Sequence, residues 1–338
     1  MSKRNVPPAT APDGLEGSEP EAGRAVRDKE QTGSGPGISA RAWVCLLIVW
    51  LVWGSTYLAI RVGVETIPPL LMAAVRNLVA GLIMFPLAVS PGRPRTGARR
   101  WPTRAEWVGC AITGTLLLVA NGVVGIGEQT VPSGLAALLI ATVPLWLLGI
   151  DAGLNHARLG LAPVAGLALG LAGVGLLSGL GRHGAGQAAV SGWSVAIILA
   201  AAVAWALGTI MSRRVTLPAS PALASGMQLL CGGVALLVLA AAAGELGSLH
   251  LAQVSARSWF ALGYLIVMGS IVAFSAYGIA VRALPTATVA TYAYVNPVIA
   301  VLLGALVLNE RLTPATIGGG ALIVGAVVLV VRRSPPAH

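Results

Sequence analysis

The feature that most constrains this chain is a recurrence. From residue 42 onward, apolar runs of about 20 residues follow one another, each bounded by charge, proline or glycine. A helix of that length spans the hydrocarbon of a bilayer. Because hydrocarbon offers no partner to an unpaired backbone group, the run must pair its amides internally. The sequence predicts ten such spans, at 42–62, 68–90, 107–127, 131–150, 161–180, 192–212, 221–243, 258–280, 285–307 and 315–331. Composition agrees: charged residues are 10% of the 338, hydrophobic residues 56%, and the mean hydropathy is +0.82. A soluble fold of this length could not cover its surface with so few charges, against about 25% in ordinary domains. That excludes a soluble enzyme, a disordered chain and a conventional nucleic-acid binder.

The cations then report orientation, because loops on the cytoplasmic face of a membrane protein are enriched in Lys and Arg. With the N-terminus inside, 17 of the 22 basic residues fall in cytoplasmic segments, among them Arg41, Arg93, Arg95, Arg158, Arg213 and Arg332. Four, Arg61, Arg182, Arg257 and Arg311, fall outside, and Arg76 lies within a span. An even number of spans places both termini in the cytoplasm. Trp43, Trp107, Trp193 and Trp259 stand at span ends, where an amphipathic ring prefers the interface. Residues 1–40 are mixed in charge, rich in Pro and Gly and free of aromatics, the composition of a disordered cytoplasmic tail. They are too long and too charged to lead a signal peptide. Cys45, Cys110 and Cys231 are odd in number and each sits in an apolar run, so they suggest buried apolar residues rather than a disulfide framework.

An internal repeat underlies the spans. At an offset of 152, Trp53, Arg61, Pro69, Gly81 and Trp107 meet Trp205, Arg213, Pro221, Gly233 and Trp259. At 153, Pro132, Pro144, Arg158, Leu159 and Gly166 meet Pro285, Pro297, Arg311, Leu312 and Gly319. The chain therefore reads as two five-helix units, 41–181 and 190–332, followed by a cytoplasmic C-terminus, 333–338. Five is odd, so the second unit enters the membrane from the opposite side. The expected fold is an all-α integral membrane protein, ten transmembrane helices arranged as an inverted repeat. In that architecture solutes bind near the midplane where the units meet.

The residues also carry a resemblance. Trp53-Gly54-Ser55-Thr56-Tyr57-Leu58-Ala59-Ile60-Arg61, then Pro68-Pro69 and Arg76, resemble the opening of EamA-type permeases of the drug/metabolite transporter superfamily. Val131-Pro132-Ser133-Gly134-Leu135-Ala136-Ala137 through Pro144 is similar to that family's fourth helix. Tyr292-Ala293-Tyr294-Val295-Asn296-Pro297 and Asn309-Glu310-Arg311-Leu312 are similar to its ninth helix and exit. Within the family, the resemblance is to YedA-type inner-membrane exporters. It implies a ten-helix permease of the bacterial inner membrane that exports amino acids, metabolites or drugs. One departure stands out: the acidic position of Glu310 is matched in the first unit by Ala157.

Candidate site residues follow from polarity at membrane depth. Arg76 lies about 12 Å inside the second span at 1.5 Å per residue and must face a partner or a wet cavity. It is read either as the group that recognises a substrate carboxylate or as a structural donor; its repeat mate is neutral Gln228. Trp53 and Tyr57 share a helical face with Trp50, and Trp205 is the mate of Trp53; they line a cavity or simply fill the core. Thr288, Tyr292 and Asn296, at i, i+4 and i+8, form one polar stripe beside Pro297, which frees a carbonyl and can kink the helix. Pro144 is its counterpart, and the two prolines are the expected hinges. Asn121 is a further polar candidate. Glu128 is the nearest approach to an intramembrane carboxylate and the one candidate for proton coupling; its plainer reading is an exposed loop acid.

No lysine follows position 29, so no phosphate-binding Walker loop is present. No zinc-protease motif, cysteine pair or nucleophile elbow appears either. The expectation is a non-enzyme without cofactor or metal, whose partners are the lipid bilayer, a small-molecule solute and, as a candidate, protons; it acts as a monomer or homodimer. It would move a small amphipathic metabolite, amino acid or drug by alternating access, as an exporter. The alternatives are a passive facilitator, an importer of the same solutes, or an integral-membrane transferase, which would need paired acids or a metal set that the spans do not offer.

Overall fold

The computed structural model describes residues 40–89, 101–154, 161–177, 191–284, 286–289 and 291–333. The expected tail, most of the arginine-rich segment before Trp101, Ala157, Arg158 and the last five residues lie outside them. Among the described residues every regular element is helical: α1 (Ala40–Gly63), α2 (Pro69–Val89), α3 (Arg104–Glu128), α4 (Ser133–Ile140), α5 (Val143–Leu154), α6 (Leu161–Leu177), α7 (Gly192–Met211) and α8 (Pro221–Ala242). After a short α9 (Glu245–Ser248) come α10 (Ala256–Tyr264), a π-helical segment (Leu265–Val272) and α11 (Ala273–Ala283). The chain ends with α12 (Thr286–Val289), α13 (Tyr292–Leu308) and α14 (Pro314–Arg333).

Among the described residues, seven helices are long and apolar enough to cross a membrane, counting α4 with α5, and α10 with the helix that follows it. Shorter apolar helices, Val164–Leu176, Val295–Leu308 and Pro314–Leu329, occupy three further expected segments. Large apolar side chains such as Leu82, Val238, Leu306 and Ile317 point outward, as they can only where the surrounding medium is lipid. Trp43, Trp101, Trp107, Trp193 and Trp259 are exposed at or beyond helix ends, which agrees with the anchoring reading.

Local chemistry sets the ends. Thr103 and Glu106 form a capping box at the start of α3: Thr103 Oγ1 accepts from the Glu106 amide and Glu106 Oε2 accepts from the Thr103 amide at 2.7 Å. At its far end Arg61 donates to the carbonyls of Glu128 and Gln129, a cation on a helix C-terminus. Asn309 ends α13 in the left-handed region at φ 54, which asparagine tolerates better than most residues.

Two expected spans are interrupted. The fourth breaks between α4 and α5 at Ala141–Thr142, just before Pro144, which cannot donate to the carbonyl four residues back. The ninth differs from the expected continuous helix. It breaks at Thr291, and α13 runs on through Pro297.

The packing is symmetric on exchange of the two halves. α2 packs on α8 and α6 on α14, each helix against its repeat mate, and α4 of the fourth span packs on α13 of the ninth. α3 packs on α7 as α1 packs on α10 and α11. The mates run antiparallel: a methyl group on Gly81 would lie 2.9 Å from Leu230, and one on Gly233 would lie 2.8 Å from Leu78. α3 and α8 approach closely enough to exclude a side chain. A methyl on Gly232 would sit 2.5 Å from the Gly114 carbonyl, and one on Gly114 2.5 Å from the Gln228 carbonyl. Gly114→Ala and Gly232→Ala are therefore each expected to destabilise by about 1–3 kcal/mol through overpacking. Thermal unfolding in detergent checks this, with Gly149→Ala, which nothing approaches within 4 Å, as the unaffected control.

Candidate functional site

A cavity opens where the two halves meet. Its walls come from both: α1, α2, α3 and the broken fourth span on one side, and α7, α11 and α13 on the other. Ala141 and Val143, on either side of the fourth-span break, face it, as does Tyr292 directly after the ninth-span break. Irregular backbone at membrane depth is tolerated where it borders a cavity, because there its freed groups can be satisfied.

The apolar part of the wall is an aromatic cluster centred on Trp53. Its ring lies 5.1 Å from Tyr277, 5.4 Å from Tyr292 and 5.5 Å from Phe274, the last two edge to face. Trp53 Nε1 donates to the Gly269 carbonyl at 3.3 Å. That carbonyl belongs to the π-helical segment, whose wider turn breaks the regular hydrogen-bond ladder. Trp205 and Tyr57 line the cavity elsewhere.

The polar part of the wall centres on Arg76. The guanidinium is buried, with Nε donating to Ser270 Oγ at 2.9 Å and Nη1 donating to Asn121 Oδ1 at 3.1 Å. Among the described residues no carboxylate pairs with it and Nη2 makes no hydrogen bond. Next to it Asn77, 2% exposed, also lines the cavity, and its Nδ2 has no partner. Two adjacent residues thus bring unspent donors to one cavity wall.

Of the residues singled out by sequence, Arg76, Trp53, Tyr57, Asn121, Tyr292, Asn296, Trp205 and Pro297 line this one cavity. Thr288 does not: the break at Thr291 interrupts the expected stripe, leaving Thr288 on α12 with its carbonyl accepting from Thr291 Oγ1. Pro144 stands beside the lining residue Val143 without lining the cavity itself. Gln228, the mate of Arg76, turns away and donates to Thr113 Oγ1 at 2.8 Å. Asn296 also has a packing task. In the amide orientation that satisfies both its groups, it donates to the Trp50 carbonyl at 3.2 Å. The sequence reasoning missed Asn77, Ser270 and Phe274. Asn77 was legible as a polar neighbour of Arg76; Ser270 is a single hydroxyl in an apolar run and gives no such signal.

One sequence reading is overturned. Glu128 is not an exposed loop acid: it is fully buried, and neither carboxylate oxygen has a hydrogen-bond partner. It ends α3 beside the α4 start, where Glu310 makes its own contacts. Glu310 Oε1 accepts from the Ser133 amide at 2.7 Å and from Ser133 Oγ at 2.9 Å, and Oε2 accepts from the Gly134 amide at 3.2 Å. A carboxylate from the second half thus caps a helix of the first. Gly304 leaves the room, since a methyl there would clash with Glu310 Oε2.

Comparison with known proteins places this geometry in a lineage. A sequence model of the EamA-like transporter family matches twice, over residues 41–179 and 192–332. The uncharacterized inner membrane transporter YedA of Escherichia coli K12 is 38% identical over 289 residues, which cover 84% of this chain and 89% of that protein. A probable amino-acid metabolite efflux pump of Salmonella typhimurium is 27% identical over 299 residues, 84% of this chain and 92% of the pump. A probable terminal-alkyne amino-acid exporter of Streptantibioticus cattleyicolor is 29% identical over 304 residues, 88% of this chain and 95% of the exporter. A solved crystal structure, 21% identical, superposes with a TM-score of 0.57 over 87% of this chain and 99% of its own, a likeness of fold.

The Glu310 cap has a measurable consequence. Glu310→Gln is expected to weaken the α4 N-terminus by about 0.5–2 kcal/mol. Hydrogen exchange at the amides of Ser133 and Gly134 should then quicken, with exchange in α8 unchanged.

Proposed function

Because the chain belongs to the EamA-like transporter family, we propose that it is a secondary transporter that exports a small amphipathic carboxylate, an amino acid or a close derivative, by alternating access. The observation that carries this reading is the pair of donors without a hydrogen-bond partner, Arg76 Nη2 and Asn77 Nδ2, on residues lining a cavity that Trp53, Phe274 and Tyr292 also line. A carboxylate needs two converging donors, and a guanidinium held by Ser270 and Asn121 presents its free edge at low entropic cost. The rings of Trp53, Phe274 and Tyr292 suit the apolar body of the same solute. The names of the efflux relatives point to the same solute class.

In this reading ten helices cross the bacterial inner membrane with both termini in the cytoplasm. The two family matches form an inverted repeat. The antiparallel packing of repeat mates supports that arrangement, since opposed units must pair this way. The interruptions at Ala141–Thr142 and Thr291, near Pro144 and Pro297, act as the hinges about which the halves exchange an inward-open for an outward-open cavity. The protein is a carrier, not an enzyme, with Trp53, Tyr57, Asn121, Tyr292, Asn296 and Trp205 as solute contacts.

The test is a resistance screen in cells that overexpress the protein, set against a panel of toxic amino acids and carboxylates and their amides. Wild type should protect against carboxylates. Arg76→Ala should lose that protection, with transport reduced roughly 10- to 100-fold, the equivalent of one charge-assisted hydrogen bond of about 1.5–3 kcal/mol. Arg76→Lys should restore little, because an ammonium cannot reproduce the fork. Equal protection by wild type and Arg76→Ala against carboxylates would remove Arg76 from substrate recognition.

A further inference from the structure

One buried group is left over by the solute site. Glu128 carries a carboxyl with no accessible surface and no hydrogen-bond partner. An ionised carboxylate in such a place loses its hydration without compensation, at a cost of several kcal/mol. The only cation near it, among the described residues, is Arg61 of α1, whose Nη1 donates to the backbone carbonyls of Glu128 and Gln129 rather than to the carboxyl. The other ionisable groups that act on it are Glu310, a like charge already engaged with the α4 N-terminus, and Tyr57 of α1. Arg61 is thus the one cation, among the described residues, set against a negative charge on this carboxyl, and it makes no hydrogen bond to it.

The surroundings tie this carboxyl to one closure. Residues 128–134 are gripped on both sides, by Arg61 at Glu128 and Gln129 and by Glu310 at Ser133 and Gly134. Tyr57 of α1 lines the solute cavity. The arrangement is one-sided: Ala157 replaces Glu310 in the other half, and the places that match Glu128 are the apolar Ala280 and Val281.

We propose that Glu128 is a proton-binding site, neutral while this end of the molecule is closed and ionised when it opens. Opening breaks the carboxyl O–H bond and passes the proton to water, and closing takes one proton back. The inference rests on the alternating-access reading for its consequence, which is that each outer closure binds one proton and each opening releases it. Its first test needs no transported solute.

The experiment is infrared spectroscopy of the purified full-length protein at neutral pH, comparing wild type, Glu128→Gln and Glu65→Gln, the last altering an exposed acid. The expected result is a protonated-carboxyl band from a dry site, present in wild type and Glu65→Gln and absent in Glu128→Gln. The absence of that band from wild type, or its persistence in Glu128→Gln, overturns the proposal. Glu128→Leu guards against misfolding of the amide variant: a neutral carboxyl tolerates an apolar side chain of similar size, so thermal stability should hold or rise. A stability loss in Glu128→Leu as large as that from breaking a buried ion pair would equally overturn it. Failure of the resistance screen leaves the band unaffected, so the two ideas fall separately.

Discussion

Hydrocarbon supplies no hydrogen-bond partners, and much of this structure follows from that. It forces the backbone into helices and makes each departure from regular helix visible as a place where something else satisfies the chain. The departures are few and they gather. The fourth span breaks at Ala141–Thr142 and the ninth at Thr291, and residues at or next to both breaks face the central cavity. The π-helical segment around Gly269 presents one carbonyl to Trp53 and one hydroxyl to Arg76. Arg76 itself obeys the same rule, because its charge is tolerable only with Ser270 and Asn121 in place.

The two halves share a scaffold and divide the chemistry. Repeat mates pack antiparallel with small residues at the contact, so the scaffold is close to two-fold. The polar groups are not. Arg76 points to the cavity while Gln228 is tied to Thr113 on a neighbouring helix. Glu310 holds α4, and Ala157 has no carboxylate to offer in return. In the proposed mechanism a symmetric frame allows two conformations of similar energy, and asymmetric side chains decide what binds and which end takes up a proton on closing. Bistability and specificity are separable here because they reside in different residues.

Much of this was legible in the chain. Arg76, Trp53, Tyr57, Asn121, Tyr292, Asn296 and Trp205 were found because polar or bulky groups are rare at such depth, and the repeat identified Trp205 from Trp53. Thr288 failed for a reason of the same kind. Its membership of a stripe assumed one continuous helix, and the discontinuity falls before Tyr292 rather than at the more conspicuous Pro297. Glu128 was misjudged because its place in a span suggested the membrane edge, while burial depends on what packs over that edge.

The apolar runs alone determined that the chain forms helices in a membrane, and the repeat offsets that it has two related halves. Both are matters of transfer free energy and spacing, which are written along the chain. Partners are not written there. Only the tertiary structure decided that Ser270 and Asn121 hold Arg76, that Asn77 adds an unspent donor, that Glu310 reaches another helix and that Glu128 is left dry. Each depends on groups from distant segments meeting within hydrogen-bond range, and no local pattern encodes that distance.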